Sequence, residues 1–152
     1  MKISIQVQDF DISTELEIMR RGKPHIGAVV NFLGVVRDLN DDIKVSQMTL
    51  EHYPGMTEKS IEQIVKKAQE RWNIIDYTII HRVGELNAGD QIVFVAVASA
   101  HRGEAFAACE FIMDYLKTEA PFWKKELTAQ GAKWVDARVI DDERLKKWDL
   151  KS

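Results

Sequence analysis

Two lysines in the last third of the chain, Lys117 and Lys124, have a residue type and spacing that suggest a catalytic role. They lie in DYLKTEAPFWKKE, residues 114–126, with Pro121 and two large aromatic side chains between them. A plain surface helix would not contain this proline, because it removes a backbone donor and crowds the carbonyl four residues earlier. Partial desolvation favours the neutral amine, which can act as a general acid or base or as a nucleophile. The alternative is a solvated basic helix face.

A second group of residues could bind an anion. His101 and Arg102, in SAHRGEAF, follow a predicted strand and precede a helix predicted to start at about Gly103. Free N–H groups and the helix dipole favour an anion there, and a guanidinium suits phosphate or carboxylate. Arg37, in GVVRDLND, lies where an apolar strand meets a polar turn. With the two lysines these residues predict a pocket for a phosphorylated or carboxylated small substrate; the alternatives are a solvated loop and a surface pairing of Arg37 with Asp38.

Other reactive side chains give weaker signals. The four histidines are scattered and lack metal-ligand spacing, so no metal site is expected. Cys109 falls on the apolar face of a predicted helix, where cysteines usually behave as small hydrophobes.

Composition limits the class of protein. A chain of 152 residues is expected to form one domain over 1–152. The net charge of −3 argues against a general nucleic-acid binder. No apolar run approaches the roughly 20 residues of a membrane span, and MKISIQVQDF lacks the apolar region of a signal peptide. The single cysteine fits a reducing compartment, so we expect a cytoplasmic protein without membrane association.

Hydrophobic periodicity predicts the elements that must position these residues. In the first half we expect strands at 2–8, 26–36 and 44–53 and helices at 13–21 and 56–72. The apolar run 26–36 indicates a central strand. Thr14 with Glu17 has the spacing of a capping box, and Thr57 can cap the second helix.

In the second half, two strands at 76–86 and 91–100 are predicted to form a hairpin through the turn 87–90. A helix from about Gly103 to Ala120 follows, and Pro121 suits the start of a short second helix reaching about Gln130, stopped by Gly131. A last strand at 132–140 precedes a polar, amphipathic tail. The mixture predicts an α+β fold with a largely antiparallel sheet.

Five stretches, in this order, closely resemble the family of large, catalytic subunits of molybdopterin synthase (the MoaE family). They are GAVVNFLGVVRD, LEHYPGM, IIHRVGEL, GDQIVFVAVASAHR and FIMDYLKTEAPFWKKE. The resemblance runs from about Gly27 to Arg138, and five ordered motifs are far more specific than any one. It implies an α/β-hammerhead-type α+β fold.

The resemblance also implies partners and a reaction. Two copies would form a homodimer that binds a small subunit of ubiquitin-like fold at each end, giving a heterotetramer. The small subunit's C-terminal Gly-Gly tail, carried as a thiocarboxylate, would enter a pocket of this chain. Sulfur would be transferred twice to cyclic pyranopterin monophosphate, forming the dithiolene of molybdopterin in molybdenum cofactor biosynthesis. The partner would supply the sulfur, so no cofactor is expected and Cys109 need not carry it.

The resemblance places the family's catalytic lysine at Lys117 and its second active-site lysine at Lys124. The residues at substrate-binding positions are Arg37, His101, Arg102, Lys117, Lys124 and Arg138. Arg138, in VDAR, matches an arginine expected near the pocket, on this or the neighbouring subunit. Two features depart from the family pattern: the loop after VVRD lacks a glycine, and Glu104 places a carboxylate beside the anion site.

Two other functions remain open. One is a non-catalytic, dimeric binding module for a phosphorylated metabolite or for a partner's acidic C-terminal tail. The other is a sulfurtransferase that uses Cys109 as a persulfide. Substitution of Lys117 would change only affinity in the first, and substitution of Cys109 would abolish activity in the second.

Overall fold

The computed structural model describes residues 1–40, 43–128, 131–135, 145, 146 and 148. Helices and strands alternate irregularly along this part of the chain, which confirms the predicted α+β class. The elements are β1 (Lys2–Gln6), α1 (Ile12–Arg20), β2 (Ala28–Val35), β3 (Leu39–Asn40), β4 (Ile43–His52), α2 (Met56–Arg71), β5 (Asp76–Arg82), β6 (Gly84–Asn87), β7 (Gln91–Ser99), α3 (Arg102–Thr118), β8 (Phe122–Thr128) and β9 (Gly131–Val135).

The first sheet has the strand order β1-β5-β7-β2 within the described residues. Strands β1 and β5 are parallel, and the other pairs are antiparallel. The prediction of a central strand at 26–36 was wrong, because β2 lies at the edge. An apolar run indicates buried faces, but it does not show whether both edges of a strand are paired. Phe32 and Val35 on this strand are in fact exposed.

The second sheet is built around β4, which pairs antiparallel with β3, β6 and β8, and β8 pairs in turn with β9. The predicted hairpin is therefore only partly correct. Strand β5 pairs with β7 as expected, and the turn is closed by Asp90 N–H donating to the Asn87 carbonyl at 3.0 Å. Gly84, at φ +88°, redirects the chain so that β6 joins β4 instead.

The predicted short helix from Pro121 to Gln130 is wrong. The chain leaves α3 at Thr118 and continues after Pro121 as β8, which pairs with β4 on one side and β9 on the other. Gly131 begins β9 instead of ending a helix. Local propensity favoured a helix here, but β4 pairs with Phe122–Thr128 and β9 with Lys124–Thr128, and that tertiary pairing prevails.

Neither of the two predicted helix caps is formed, and each helix is capped by another residue. The Asp11 carboxylate caps α1 by accepting from the Thr14 N–H at 2.9 Å, so the proposed Thr14 box is not formed. Gly55, at φ +84°, is the cap of α2. Thr57 instead points into the protein, where its side chain is fully buried.

The core lies on both faces of the first sheet. Helices α2 and α3 cover one face, and the residues predicted to be buried on α3 are all buried: Ala105, Ala108, Cys109, Ile112, Met113 and Leu116. Helix α1 covers the other face, where Met19 packs on Ile80 and Phe94. Trp148 packs against Trp72 and Phe111, and its Nε1–H donates to the Asp114 carboxylate at 2.8 Å.

None of the described helices is long and apolar enough to cross a membrane.

Candidate active site

Helix α3 runs back along the strand that precedes it. Near its start, Glu104 Oε2 lies 3.5 Å from Ser99 Oγ at the end of β7. In its middle, Cys109 Sγ lies 3.8 Å from the carbonyl of Val95. Near its end, Lys117 is close enough to His81 to affect its protonation, and His81 pairs with Val93 near the start of β7.

The predicted site residues consequently fall at opposite ends of β7 within one chain. His101 and Arg102 follow Ser99, and Lys117 lies fifteen residues further along α3. At 1.5 Å per residue this separation is about 22 Å, too far for both side chains to contact one small substrate. We call these the Ser99 end and the Gln91 end.

Arg37 belongs to the Gln91 end. Val35 pairs with Gln91, and the next residue, Val36, donates its N–H to the Asp90 carbonyl at 2.9 Å. Arg37 is exposed and lines an open depression of about 530 Å³ together with Val36, Asp38, Ala88 and Gly89. A guanidinium at the rim of such a depression can bind an anion that enters from solvent.

Lys124 also lies toward this end, on the second sheet. It pairs with Leu50 of β4, which pairs in turn with Gly84, so two strand spacings of about 4.8 Å separate Lys124 from the start of β6, two residues after the end of β5. Side chains alternate along a strand, so Lys124 shares a face of β8 with Phe122, and Trp123 lies on the other face. Lys124 is half-buried, whereas Lys117 is exposed.

A stacked pair of rings lies beside the two lysines. His81 and Phe122 have ring centroids 3.8 Å apart and planes at 15°. Phe122 therefore covers a buried histidine, while Trp123 forms an edge-to-face contact with Tyr53 near the surface. Phe122 and His81 therefore form a wall on the face of β8 that carries Lys124, and Trp123 packs on the opposite face.

His81 is held neutral in this wall. Burial lowers its pKa to about 4; its hydrogen bond to the Arg82 carbonyl (Nδ1 to O, 2.9 Å) raises it, and the nearby charges of Lys117 and His52 lower it further. Because a carbonyl can only accept, Nδ1 carries the proton and Nε2 is an acceptor. Sequence reasoning missed His81 and His52, because only the folded arrangement of the strands brings Lys117 and His52 near His81.

At the Ser99 end, the carboxylate beside the anion site is turned aside. Glu104 Oε1 accepts from the Asn73 N–H at 3.3 Å, and Oε2 faces Ser99 Oγ. His101 and Arg102 are both exposed at the start of α3. The helix N-terminus and the guanidinium therefore remain available to an anion without a carboxylate directed at it.

Cys109 lies apart from both ends of β7 that carry the basic residues. Cys109 is buried, and burial raises the pKa of its thiol to about 12, with the charge of Glu110 adding to the effect. A thiol of this kind is a poor nucleophile. Arg138 lies outside the described residues. Among the residues that are described, no cluster of three His, Cys, Asp or Glu side chains could hold a metal ion.

Comparison with known proteins agrees with this architecture. The "MoaE protein" family model matches residues 5–119. The "Molybdopterin synthase catalytic subunit" of Ralstonia nicotianae is 64% identical over 148 residues, covering 97% of this chain and 84% of that protein. The solved "Molybdopterin biosynthesis MoaE protein" of Burkholderia ambifaria is 56% identical, covers 97% of both chains and has a TM-score of 0.84.

A more distant structure shares the fold. It is the "Protein-protein complex of subunit 1 and 2 of Molybdopterin-converting factor" of Helicobacter pylori, with a TM-score of 0.69, 20% identity and coverage of 89% of this chain and 91% of that chain. From the family model and the closely similar relatives together, the chain belongs to the MoaE family.

Proposed function

We propose that this chain is the catalytic subunit of a molybdopterin synthase, which transfers sulfur to cyclic pyranopterin monophosphate to form the molybdopterin dithiolene. Relatives that it matches over nearly its whole length have the name molybdopterin synthase catalytic subunit. The observation that carries the proposal is the placement of Lys117 and Lys124 around the His81–Phe122 stack, in the fold of this family. We further infer that residues 1–152 act as one domain in the cytoplasm.

The proposed partner is a small ubiquitin-like subunit with a C-terminal Gly-Gly thiocarboxylate. A solved structure of the same fold, the Helicobacter pylori complex, joins two subunits of a molybdopterin-converting factor. Lys117 and Lys124 would attract the anionic tail of such a partner, because two ammonium groups near a half-buried wall favour a carboxylate or thiocarboxylate. Once the sulfur has bonded to the substrate, water cleaves the bond between that sulfur and the acyl carbon of the tail and supplies the new carboxylate oxygen. Each transfer therefore leaves the tail as a carboxylate, and two thiocarboxylated partners are used for one dithiolene.

The proposed roles at the Gln91 end follow from charge and exposure. Lys117 assists proton transfer and stabilises negative charge as the thiocarboxylate sulfur attacks the substrate. Lys124, on the wall beside Phe122, holds the tail. Arg37, at the rim of the open depression, binds the substrate phosphate.

His101 and Arg102 require a second copy of the chain. About 22 Å separates Arg102 from Lys117 along α3, so one chain cannot direct both side chains at one substrate. In a homodimer, the Ser99 end of one chain can face the Gln91 end of the other and add its guanidinium to the phosphate site. We propose this composite pocket and expect Arg138 to contribute to it as well.

The test of the reaction combines the purified chain, a thiocarboxylated small subunit and cyclic pyranopterin monophosphate in a single-turnover assay of dithiolene formation. Lys117→Ala is compared with Lys66→Ala, which removes an exposed lysine from α2. We expect product from wild type and from Lys66→Ala, and a loss of about 100-fold or more in Lys117→Ala, the scale of a lost general acid or base. Full turnover by Lys117→Ala would remove the acid–base role.

The alternative remains a binding module that holds a phosphorylated metabolite or an acidic tail. It shares the same basic residues, so affinity measurements alone do not separate the two. Tight binding of the partner with no product from wild type would favour the module. The persulfide alternative is weakened by the burial of Cys109 and by the raised pKa of its thiol.

A further inference from the structure

Thr57 makes two hydrogen bonds that join distant parts of the chain. Its hydroxyl accepts from the Tyr53 N–H at 2.9 Å and donates to the Pro121 carbonyl at 3.0 Å. The side chain is fully buried, and it lies in the first turn of α2, 64 residues from Pro121. A hydroxyl can donate and accept at once, so this one residue satisfies both backbone groups.

The segment that Thr57 holds is the connection between the two lysines. Helix α3 ends one residue after Lys117, and β8 begins two residues before Lys124. Between them the chain turns tightly, with Phe122 N–H donating to the Ala120 carbonyl at 2.8 Å. Whatever fixes Pro121 therefore fixes the start of the strand that carries Lys124 relative to the end of the helix that carries Lys117.

The same turn is held from a second side. His81 stacks on Phe122 at 3.8 Å, so the residue after Pro121 is fixed by its ring and Pro121 by its carbonyl. The two contacts come from different elements, β5 and α2, and neither Thr57 nor His81 belongs to the basic residues assigned to the partner or substrate. Thr57 and His81 can therefore affect the two lysines only indirectly, through the position of Pro121 and Phe122.

We propose that Thr57 is a positioning residue for sulfur transfer: its hydroxyl holds the Pro121 turn so that Lys117 and Lys124 keep the separation that the reaction needs. This inference rests on the proposed function. Its physical basis is that a displacement of about 1 Å in a reacting group can cost about 100-fold in rate. Removal of the hydroxyl leaves the Tyr53 N–H and the Pro121 carbonyl without their partner, and the turn can then shift.

The test compares Thr57→Val, which keeps the shape and loses the hydroxyl, with Thr57→Ser, which keeps the hydroxyl. Single-turnover rates are measured across substrate concentrations with the thiocarboxylated small subunit, well below the melting temperature of each variant. We expect Thr57→Val to lower the maximal rate by about 10-fold or more while the half-saturating concentration changes by less than about threefold. Thr57→Ser should stay within about threefold of wild type in both quantities. Thr57→Ala is expected to match Thr57→Val, and it replaces that variant if valine prevents folding.

A merely structural role predicts a different result. Thr57→Val or Thr57→Ala would then melt at a lower temperature but retain the wild-type maximal rate per folded molecule, which would overturn the inference. Equal loss in Thr57→Ser would also overturn it.

Failure of the proposed reaction is distinguishable from failure of this inference. Absence of product from wild type contradicts the proposed function alone. The positioning claim is then judged by crystal structures of Thr57→Val and Thr57→Ser. A Pro121 turn that stays in its wild-type place in Thr57→Val contradicts the claim, and a turn displaced in Thr57→Val only supports it.

Discussion

Among single residues, His81 links protonation to the architecture of the site. Its ring is stacked on Phe122 and bonded through Nδ1 to the Arg82 carbonyl, in a position where burial opposes a positive charge. Electrostatic interaction with Lys117 and with His52 lowers the pKa of His81 further. A protonated His81 would therefore repel the lysine proposed for catalysis and would carry an uncompensated buried charge.

The pH dependence of stability follows from this histidine. Its pKa is about 4 in the folded chain against 6.5 for the ordinary group, so the unfolded state binds more protons between these values. Stability should therefore fall as pH decreases from about 6.5 to about 4, by about 3 kcal/mol from this group if the whole shift is expressed. Urea denaturation at several pH values measures the slope.

His81→Phe is the matched control for that slope. The variant keeps a ring against Phe122 and cannot titrate, so its stability should change less than that of wild type between pH 6.5 and 4. Asp76 has a lowered pKa and therefore also makes the folded state less stable as pH falls. It is present in both proteins, so its contribution cancels from the comparison. Identical slopes would contradict the assignment of a neutral, buried His81.

Cys109 should be dispensable for sulfur transfer. Its thiol is buried on α3 beneath the Val95 carbonyl, and burial raises its pKa, so it is neither accessible nor ionised. Cys109→Ser is expected to lower the melting temperature modestly, because a hydroxyl replaces sulfur in an apolar setting. Its single-turnover rate per folded molecule should be that of wild type; a loss of product formation would revive the persulfide mechanism.

Sequence reasoning found residues whose chemistry is visible in their type, and it missed those whose role depends on a distant partner. Arg37 could be selected because it lies where an apolar strand meets a polar turn, and Lys117 and Lys124 because a proline and two aromatic side chains separate them. Thr57 was interpreted as a helix cap from its local position, yet its hydroxyl serves Pro121, 64 residues away. No local pattern encodes such a contact.

At the scale of elements, prediction succeeded where one face of a segment is continuously buried. Helix α3 was predicted closely, because most of its apolar residues recur with helical period and are buried, with Phe106 the exposed exception. Strand β8 was mistaken for a helix, because its pairing with β4 and β9 is not visible locally. The error matters for function, because in a strand Lys124 lies on the second sheet, on the same face of β8 as Phe122, and not on a helix that continues from α3.

The approach of β2 to the start of α3 depends on Gly27. A side-chain carbon at this position would lie 2.1 Å from the Ala100 carbonyl oxygen, next to His101. Gly27→Ala is therefore expected to displace the segment that carries His101 and to reduce the free energy of unfolding by about 1–3 kcal/mol. Gly103→Ala is the control, because a side-chain carbon added there would meet no other atom within 4 Å and alanine favours a helix.

Urea denaturation of the two variants measures this difference. Gly103→Ala should be as stable as wild type or more stable, and Gly27→Ala clearly less so. If Gly27→Ala proves as stable as wild type, the contact between Gly27 and the Ala100 carbonyl is looser than the 2.1 Å approach requires.

At the scale of the whole molecule, the predicted basic residues form two groups instead of one. Arg37, Lys117 and Lys124 lie toward the Gln91 end, and His101 and Arg102 lie at the Ser99 end. The sequence predicted that these residues share one pocket. The predicted helix already separates Lys117 from Arg102 along its length, but only the strand pairing shows that Arg37 and Lys124 lie toward the same end as Lys117. The proposed second copy of the chain would bring the two groups into one pocket.

Subunit complementation tests the composite pocket on which the proposed mechanism rests. Lys117→Ala and Arg102→Ala carry different affinity tags and are co-expressed, and the heterodimer is isolated by both tags in succession. In a composite pocket, one site of the heterodimer receives both substitutions and the other receives neither. The heterodimer should therefore show about half of the wild-type single-turnover product. Each homodimer should show little, because Lys117→Ala loses a catalytic group, at a cost of about 100-fold or more, and Arg102→Ala loses a charged contact to the substrate phosphate. If the heterodimer is as inactive as its parents, each pocket is built from one chain and the composite site is contradicted.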